Sequence, residues 1–434
     1  MEPRPRNIRI VTLGCAKNEV DSEEIAGVLA EAGHRVDASQ SADVTVVNTC
    51  GFIESATSES LEAIRKAVRE KGDGKVVVAG CLAQRMGHKL ADAVPGVDVI
   101  VGVGQMARFG SIVQGALSSP DQLVETKRPE HLWASVGTRA RTGHPWSAYL
   151  KVSEGCDHKC TFCTIPSFRG GHQSKPLERV VEEARALAAQ GVKEVNLIAQ
   201  DVTQYGYDLY REFTLPRLLR ELDAIEGIEW IRLLYFYPNR LTDEVIEAMA
   251  TLPSVVPYVD IPLQHVHGDV LRAMKRPWDG ERYLGLFDKV RAAMPGAAIR
   301  TTFIVGFPGE TEDHFEYLLS WVREARLERV GAFVYSREKG TPAAEMTGQV
   351  PFLKKRNRYD RLMRLQQAVG LENGKAWIGR EVDVLLESPN CGRTYRDAPE
   401  IDGKIDLDFS GQPGDIVKAR VAGATVHDLT GTAV

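Results

Sequence analysis

The 434-residue chain has no apolar run that approaches a membrane span. Its opening residues, MEPRPRNIRIVTLGCAKN, carry too short an apolar stretch for a secretory signal. It also lacks an excess of positive charge. The formal net charge is −5, so there is no bulk field to draw in nucleic acid. Cysteine is scarce and odd in number, at seven, which argues against a disulfide framework and for reduced thiols. These absences lead to the expectation of a cytoplasmic protein with no membrane partner. The rest of the composition is ordinary, 43% hydrophobic and 26% charged, and the length suits about two to four domains.

Three of the seven cysteines fall in one stretch, KVSEGCDHKCTFCTIPSFRGG, as Cys156, Cys160 and Cys163 at C-x-x-x-C-x-x-C spacing. Three thiols cannot all pair with one another. A closed structural zinc site needs four ligands, and His158 inside the loop is awkwardly spaced to be the fourth. A 4Fe–4S cluster held by three cysteines leaves one iron open, so a cluster is favoured over zinc or a metal-free loop.

Residues 1–118 alternate strand-like and helix-like segments: strands at 7–13, 43–47, 75–79 and 97–101, and helices at 21–32, 58–70 and 82–93. This rhythm predicts a doubly wound parallel α/β domain. Cys15 follows the first strand, Cys50 the second and Cys81 the third, and Gly14, Gly51 and Gly80 flank them. Ligands of open α/β sheets gather at the C-terminal ends of the strands, so the three thiols are predicted to converge on a second metal or cluster site. Three buried core cysteines is the competing account. Asn18, Asp21 and Asn48 lie nearby, where helix caps and turns also use such residues.

Residues 119–141 are polar and mixed in charge, and are expected to form a linker. Residues 142–370 supply six strand candidates separated by helices, at 146–152, 194–199, 230–236, 258–261, 299–305 and 330–335, with a basic connector helix closing the domain. Six βα units predict a partial (β/α)6 barrel whose functional groups follow the strands. The three-cysteine loop, Gln200 and Asp201, Tyr237 to Asn239, Gln264 and His265, and Gly306 to Thr311 all obey that rule. Glu310 is a candidate helix cap. His265 suits a substrate contact or a structural hydrogen bond equally well. Arg169 and Arg276 could steer a carboxylate, and a solvated surface position is the plainer account of Arg276. Residues 371–434 turn to short strands with Gly and Pro turns, which predicts a small β-barrel. From Gly379 onward there are ten Asp and Glu against six Lys and Arg, and Asp397, Glu400, Asp402, Asp406 and Asp408 crowd together. Such a module repels phosphate and favours a basic partner. Cys391 is left as a structural or free thiol.

The stretch around Cys156, Cys160 and Cys163, with Phe162 before the last cysteine, resembles the radical S-adenosylmethionine (SAM) signature. TLGCAKNEVDSE, VVNTCGFIESA and VVAGCLAQR resemble the N-terminal domain of the methylthiotransferases, and the last 64 residues resemble a TRAM domain. NTCGFIESA, DIPLQH and GRTYRDAPEIDG are similar to the branch of that family that acts on a ribosomal protein. The resemblance implies two 4Fe–4S clusters, one on Cys156, Cys160 and Cys163 and an auxiliary one on Cys15, Cys50 and Cys81. It implies that SAM is cleaved at the first cluster and that Phe162, Gln200, Gln264, Gly306 and Gly309 contact it. The implied reaction adds a methylthio group to the β-carbon of an aspartate in the twelfth small-subunit ribosomal protein, with electrons from an external donor. An unactivated C–H bond offers no acidic proton, which is why radical chemistry is required. A tRNA methylthiotransferase and a non-enzymatic iron–sulfur scaffold or electron carrier are the alternatives.

Overall fold

The computed structural model describes residues 5–36, 42–105, 108–127, 132–133 and 139–434. The chain divides into two compact bodies. The first comprises Met1–Gly143 with Ser153–His158 and Thr164–Arg179, and the second comprises His144–Val152, Lys159–Cys163 and Val180–Val434.

The first body is built on six parallel strands: β1 (Asn7–Thr12), β2 (Arg35–Val36), β3 (Val44–Thr49), β4 (Lys75–Gly80), β5 (Val99–Val101) and β6 (Leu123–Glu125). Their order is β2-β1-β3-β4-β5-β6. Every residue of β3 is buried, as expected for a central strand with both faces covered. On one face Ile8, Val44, Val46 and Val77 pack with Ile25, Leu29, Phe109 and Ile112 from helices Ala16–Glu31 and Phe109–Ser118. On the other, Val47, Val76 and Val78 pack with Ile64, Leu82 and Leu90 from helices Glu54–Glu70, Cys81–Met86 and His88–Ala93. The doubly wound prediction holds.

Local details differ from the sequence pattern for identifiable reasons. The first helix begins at Ala16, because the Cys15 carbonyl accepts from the amides of Asn18 (2.8 Å) and Glu19 (3.2 Å). The segment 82–93 is two helices, broken at Gly87 with φ of 52°. Part of the expected linker, residues 128–131 and 134–138, lies outside the described residues. Within it, Leu123–Glu125 joins the sheet as β6, pairing with β5. Three residues are too few to show a strand period in a polar stretch.

β7 (Ser147–Lys151) opens the second body, while the short strands β8 (Ser153–Glu154) and β9 (Gln173–Ser174) pair antiparallel within the first. In the second body, β10 (Glu194–Ile198), β11 (Trp230–Leu233), β12 (Tyr258–Asp260), β13 (Ala298–Val305) and β14 (Arg329–Val334) follow β7 in parallel. The sheets β11-β10-β7 and β12-β13-β14 are linked by the parallel bridge Ile231–Val255 and by hydrogen bonds from Val256 to Ile231 (3.0 Å) and from Phe236 to Asp260 (2.8 Å). The result is the expected partial barrel of six strands.

The connector helix Phe352–Lys375 runs past residue 370, and a closed barrel follows it, formed by β15 (Glu381–Ser388), β16 (Cys391–Thr394), β17 (Ile405–Leu407), β18 (Ile416–Ala424) and β19 (Leu429–Ala433). Its interior is Val382, Val384, Leu386, Ile405, Leu407, Ala419, Val421 and Leu429. Part of its acidity is used internally. Asp397 pairs with Arg329, and Asp402 pairs with Arg300 and accepts from the Tyr258 hydroxyl. Both carboxylates are buried at the junction with the partial barrel, so they are not part of a surface offered to a basic partner. Asp383 and Glu381 are matched across the sheet by Lys418 and Arg420.

Glu194 of β10 anchors the same junction. Its carboxylate is sealed from solvent and bonds Arg232 of β11 (3.0 Å), Arg393 of β16 (2.6 Å) and Ser147 of β7 (2.8 Å). Burial alone would raise its pKa, but Arg393 and Arg232 outweigh it and hold it down at about 2. Glu194→Gln is expected to lower the unfolding free energy by roughly 3–5 kcal/mol, because two buried guanidinium groups lose their counter-ion. Chemical denaturation at neutral pH measures this. In the parent chain the contribution is complete above about 4.5 and is lost as pH falls toward about 2, so the variant's stability should fall less steeply over that window.

Candidate metal centre

The strand order of the first body reverses between β1 and β3, which makes the ends of these strands a topological switch point. Cys15 follows β1, Cys50 follows β3 and Cys81 follows β4. The loops meet closely. A Cβ built on Gly14 would lie 2.8 Å from Cys50 Cβ and 3.1 Å from its sulfur, and Gly14 has φ of 102°. Cys15 is exposed, Cys50 half-buried and Cys81 buried, and all are free thiols. Burial raises the Cys50 thiol and pushes the Cys81 thiol up to about 12; Cys15 adds to the rise in both, and Cys50 adds to that of Cys81. A metal bound here would displace the thiol protons.

Asn18 and Asn48 act in the wall of this site, not as caps. Asn18 Nδ2 donates to Leu13 O (2.7 Å) and Thr49 O (3.0 Å), which ties the Cys15 loop to the Cys50 loop. Asn48 Nδ2 donates to Asn18 O (2.8 Å) and Ser22 Oγ (2.9 Å). The Cys50 amide and carbonyl are both held by Ser60 Oγ.

Sequence reasoning missed the fourth wall. Helix Ile165–Arg169 packs Ile165 and Phe168 against Cys81 and Val103, and Thr164 Oγ1 donates to Phe52 O (3.2 Å). Arg169 is buried. Its Nε donates to Cys81 Sγ (3.2 Å), Nη1 to Glu154 (2.7 Å), and Nη2 to Asn18 Oδ1 (2.8 Å) and Asp21 (3.4 Å). Burial opposes its charge, but Cys81, Glu154 and Asp21 together hold it firmly protonated. It therefore does not present itself to a substrate carboxylate, as the sequence had suggested. The signal for it was present: an Arg inside the cysteine-rich stretch, followed by two glycines.

The C-x-x-x-C-x-x-C loop is held in two parts. In the first body the Cys156 amide donates to Gly170 O (2.9 Å), and a Cβ at Gly155 would lie 2.0 Å from Gly171 O. In the second body Thr161 donates its amide to Met274 O (3.1 Å) and its hydroxyl to Ala273 O (2.8 Å), and Cys163 N donates to Cys160 O (3.1 Å). Phe162 packs against Val270, Met274, Phe307, Tyr335 and Ala343. Arg276 lies over the Tyr237 ring (4.3 Å), donates to Pro262 O and reaches Cys160 Sγ (4.0 Å), so it is no solvated surface arginine.

The remaining strand-end residues divide between backbone and packing duties. Gln264 has φ of 73° and bridges to β13 through Thr302 O (2.9 Å) and Ile304 N (2.7 Å). Gln200 is half-buried just past β10. Gly306, with φ of 76°, is glycine because a Cβ would lie 2.3 Å from Lys355 Cγ, while the position of Gly309 is open. Glu310 is not the helix cap. Thr311 caps with His314 in a reciprocal pair, and Glu310 turns inward to accept from Gly306 N (2.6 Å), Phe307 N (3.1 Å) and Arg358 (3.0 Å). His265 is fully buried, accepts from His267 N (3.0 Å) and is driven down to about 3 by burial, which makes it a neutral structural histidine. His267, Asp269 and His314 also cluster. Both rings accept backbone amides at Nδ1 (3.3 Å each), which commits them to helix capping. Cys391 lies on β16, and burial pushes its thiol up to about 11.

Family profiles match three segments: the radical SAM superfamily over residues 150–322, the uncharacterized protein family UPF0004 over 7–102 and the TRAM domain over 378–434. The ribosomal protein uS12 methylthiotransferase RimO of Desulforamulus reducens is 43% identical over 98% of this chain and 99% of its own length. That of Moorella thermoacetica is 47% identical over 92% of each chain. Among solved structures, the radical SAM methyltransferase TsrM from Kitasatospora setae superposes with a TM-score of 0.61 at 15% identity, covering 89% of this chain and 80% of that one. This last likeness is one of fold.

Gly80 precedes Cys81 with φ of 91° and ψ of −155°, a region reserved for glycine, and a Cβ there would lie 2.3 Å from Asn48 Oδ1. Gly80→Ala is expected to lower the unfolding free energy by at least about 1–3 kcal/mol. Gly115→Ala, in the helix Phe109–Ser118 with nothing within 4 Å, should be neutral or slightly stabilising. Urea denaturation of the two variants makes the comparison.

Proposed function

The chain belongs to the RimO family of ribosomal protein uS12 methylthiotransferases, and on that premise we propose how its cysteines divide the work. The enzyme methylthiolates the β-carbon of an aspartate of uS12, a transferase reaction that yields 3-methylthioaspartate. Its cofactors are SAM and two 4Fe–4S clusters, which together supply the radical that activates the C–H bond and the sulfur that is transferred.

Cys15, Cys50 and Cys81 hold the auxiliary cluster. The observation that carries this is the meeting of three strand-end loops: only a glycine at 14 lets Cys50 approach the turn bearing Cys15, a Cβ on Gly51 would lie 3.0 Å from Leu82 Cα, and Cys81 Sγ lies 3.8 Å from Asn18 Oδ1. Three protein ligands leave one iron open, as a site that carries sulfur requires. Cys156, Cys160 and Cys163 hold the SAM-binding cluster, an assignment supported by their spacing and by the loop lying within the matched radical SAM segment. Phe162 and Thr161 brace the part of that loop that bears Cys160 and Cys163. Phe162, Gln200, Gln264 and the backbone of Gly306 and Gly309 contact SAM. Glu310 holds the Gly306 turn in shape for this by accepting the amides of Gly306 and Phe307.

The domains follow the same division: residues 1–118 for the auxiliary cluster, a linker with an edge strand over 119–141, the radical SAM domain from 142 and the TRAM barrel from residue 381, after the connector helix. An external donor supplies the electron. The exposed acids of the barrel, Glu400, Asp406 and Asp408 among them, disfavour RNA, and its Lys418 and Arg420 are matched by Asp383 and Glu381.

Two measurements test this. Intact-mass analysis of uS12 from a strain without the gene should lack the methylthio increment, while 2-methylthio-adenosines of tRNA are unchanged; an unchanged uS12 mass would falsify the assignment. Replacing Cys15, Cys50 and Cys81 together by Ala should leave about four irons per chain. That variant should cleave SAM with no methylthio product.

A further inference from the structure

One interaction in the first body joins residues from two functional stretches. Arg169 belongs by sequence to the C-x-x-x-C-x-x-C stretch, yet its guanidinium donates to the sulfur of Cys81, a thiol of the other triad, at 3.2 Å. Its side chain is only 3% exposed and is oriented by three acceptors on two elements: Glu154 on β8, and Asn18 and Asp21 on the first helix. The next residue, Gly170, accepts the amide of Cys156 at 2.9 Å. A side chain and the carbonyl beside it thus hold one cysteine of each triad.

We propose that Arg169 is a positioning residue for the auxiliary cluster: its Nε–H donates to the Cys81 ligand sulfur, raises that cluster's reduction potential and fixes Cys81 relative to the Cys156 loop. This rests on the assignment of Cys15, Cys50 and Cys81 as cluster ligands. The physical basis is that hydrogen bonds and positive charge at cluster sulfurs stabilise the reduced, more negative state. The position is built for that task. A guanidinium is charged at any working pH and its planar fork spreads its donors over several acceptors at once. An arginine whose only task was to fill the core would not need its Nε aimed at sulfur.

The test uses the full chain with Cys156, Cys160 and Cys163 replaced by Ala, so that only the auxiliary cluster remains. In this background Arg169, Arg169→Lys and Arg169→Met are compared by iron content and by an EPR-monitored redox titration. About four irons per chain are expected. The potential should fall stepwise from Arg to Lys to Met, because Lys keeps the charge and loses the fork while Met loses both. Equal potentials in all three overturn the inference and leave the ligand assignment standing. A background chain with Arg169 intact that binds no iron overturns the ligand assignment itself. If the Arg169→Met chain fails to fold, the Arg169→Lys variant, which keeps a cation beside Asp21 and Glu154, decides the matter alone: a lowered potential supports the role and an unchanged one removes it.

Discussion

A guanidinium sealed from water is tolerable only if its N–H groups meet acceptors and its charge meets counter-charge. Arg169 satisfies both, and the first body is arranged so that it can. Asn18 shares its amide between the Cys15 and Cys50 loops and turns its oxygen to Arg169, Asp21 lies one helical turn further on, and Glu154 comes from β8. The same helix buries Glu23, which bonds Arg139 and the amide of Thr142 (3.0 Å). This explains a helix with a polar inner face: Lys17, Asn18, Asp21, Ser22, Glu23 and Glu24 are all buried. A carboxylate-rich helix start suggests a solvated end, and here it is a socket for arginines supplied by distant parts of the chain.

The second body follows the same rule with the signs reversed. Glu194, Asp397 and Asp402 are the buried charges, and Arg232, Arg393, Arg329 and Arg300 surround them. Since these pairs join the C-terminal barrel to the strands of the partial barrel, two of the last segment's carboxylates, Asp397 and Asp402, serve as docking chemistry. Counting its charges in one dimension pointed to a basic partner. The pairing in three dimensions consumes Asp397 and Asp402 within the same chain and leaves Glu400, Asp406 and Asp408 exposed.

Much of the site was legible because parallel α/β topology makes position along the chain a guide to position in space. Three cysteines each just past a strand must lie along one edge of the sheet, whichever order the strands take. Glycines beside them could be assigned to close approach, and Gly14 and Gly80 bear that out. The glycine at 306 followed the same pattern and has a different cause, the stem of Lys355 from a helix nearly fifty residues away. His265 and Glu310 were likewise ambiguous, since only burial and hydrogen-bond partners separate a structural role from an exposed one.

Strand and helix periods, the cysteine spacings and the turn residues by themselves determined the fold class, the six strands of the partial barrel and the two thiol triads, because these are local properties repeated in order. What only the tertiary structure decided is which charged groups are neutralised and by whom. Arg169 with Cys81, Glu194 with Arg393 and Asp402 with Arg300 join residues 88, 199 and 102 positions apart. No local pattern encodes such a pairing. It is set by the cost of leaving a buried charge alone, and that cost exists only once the chain has closed around it.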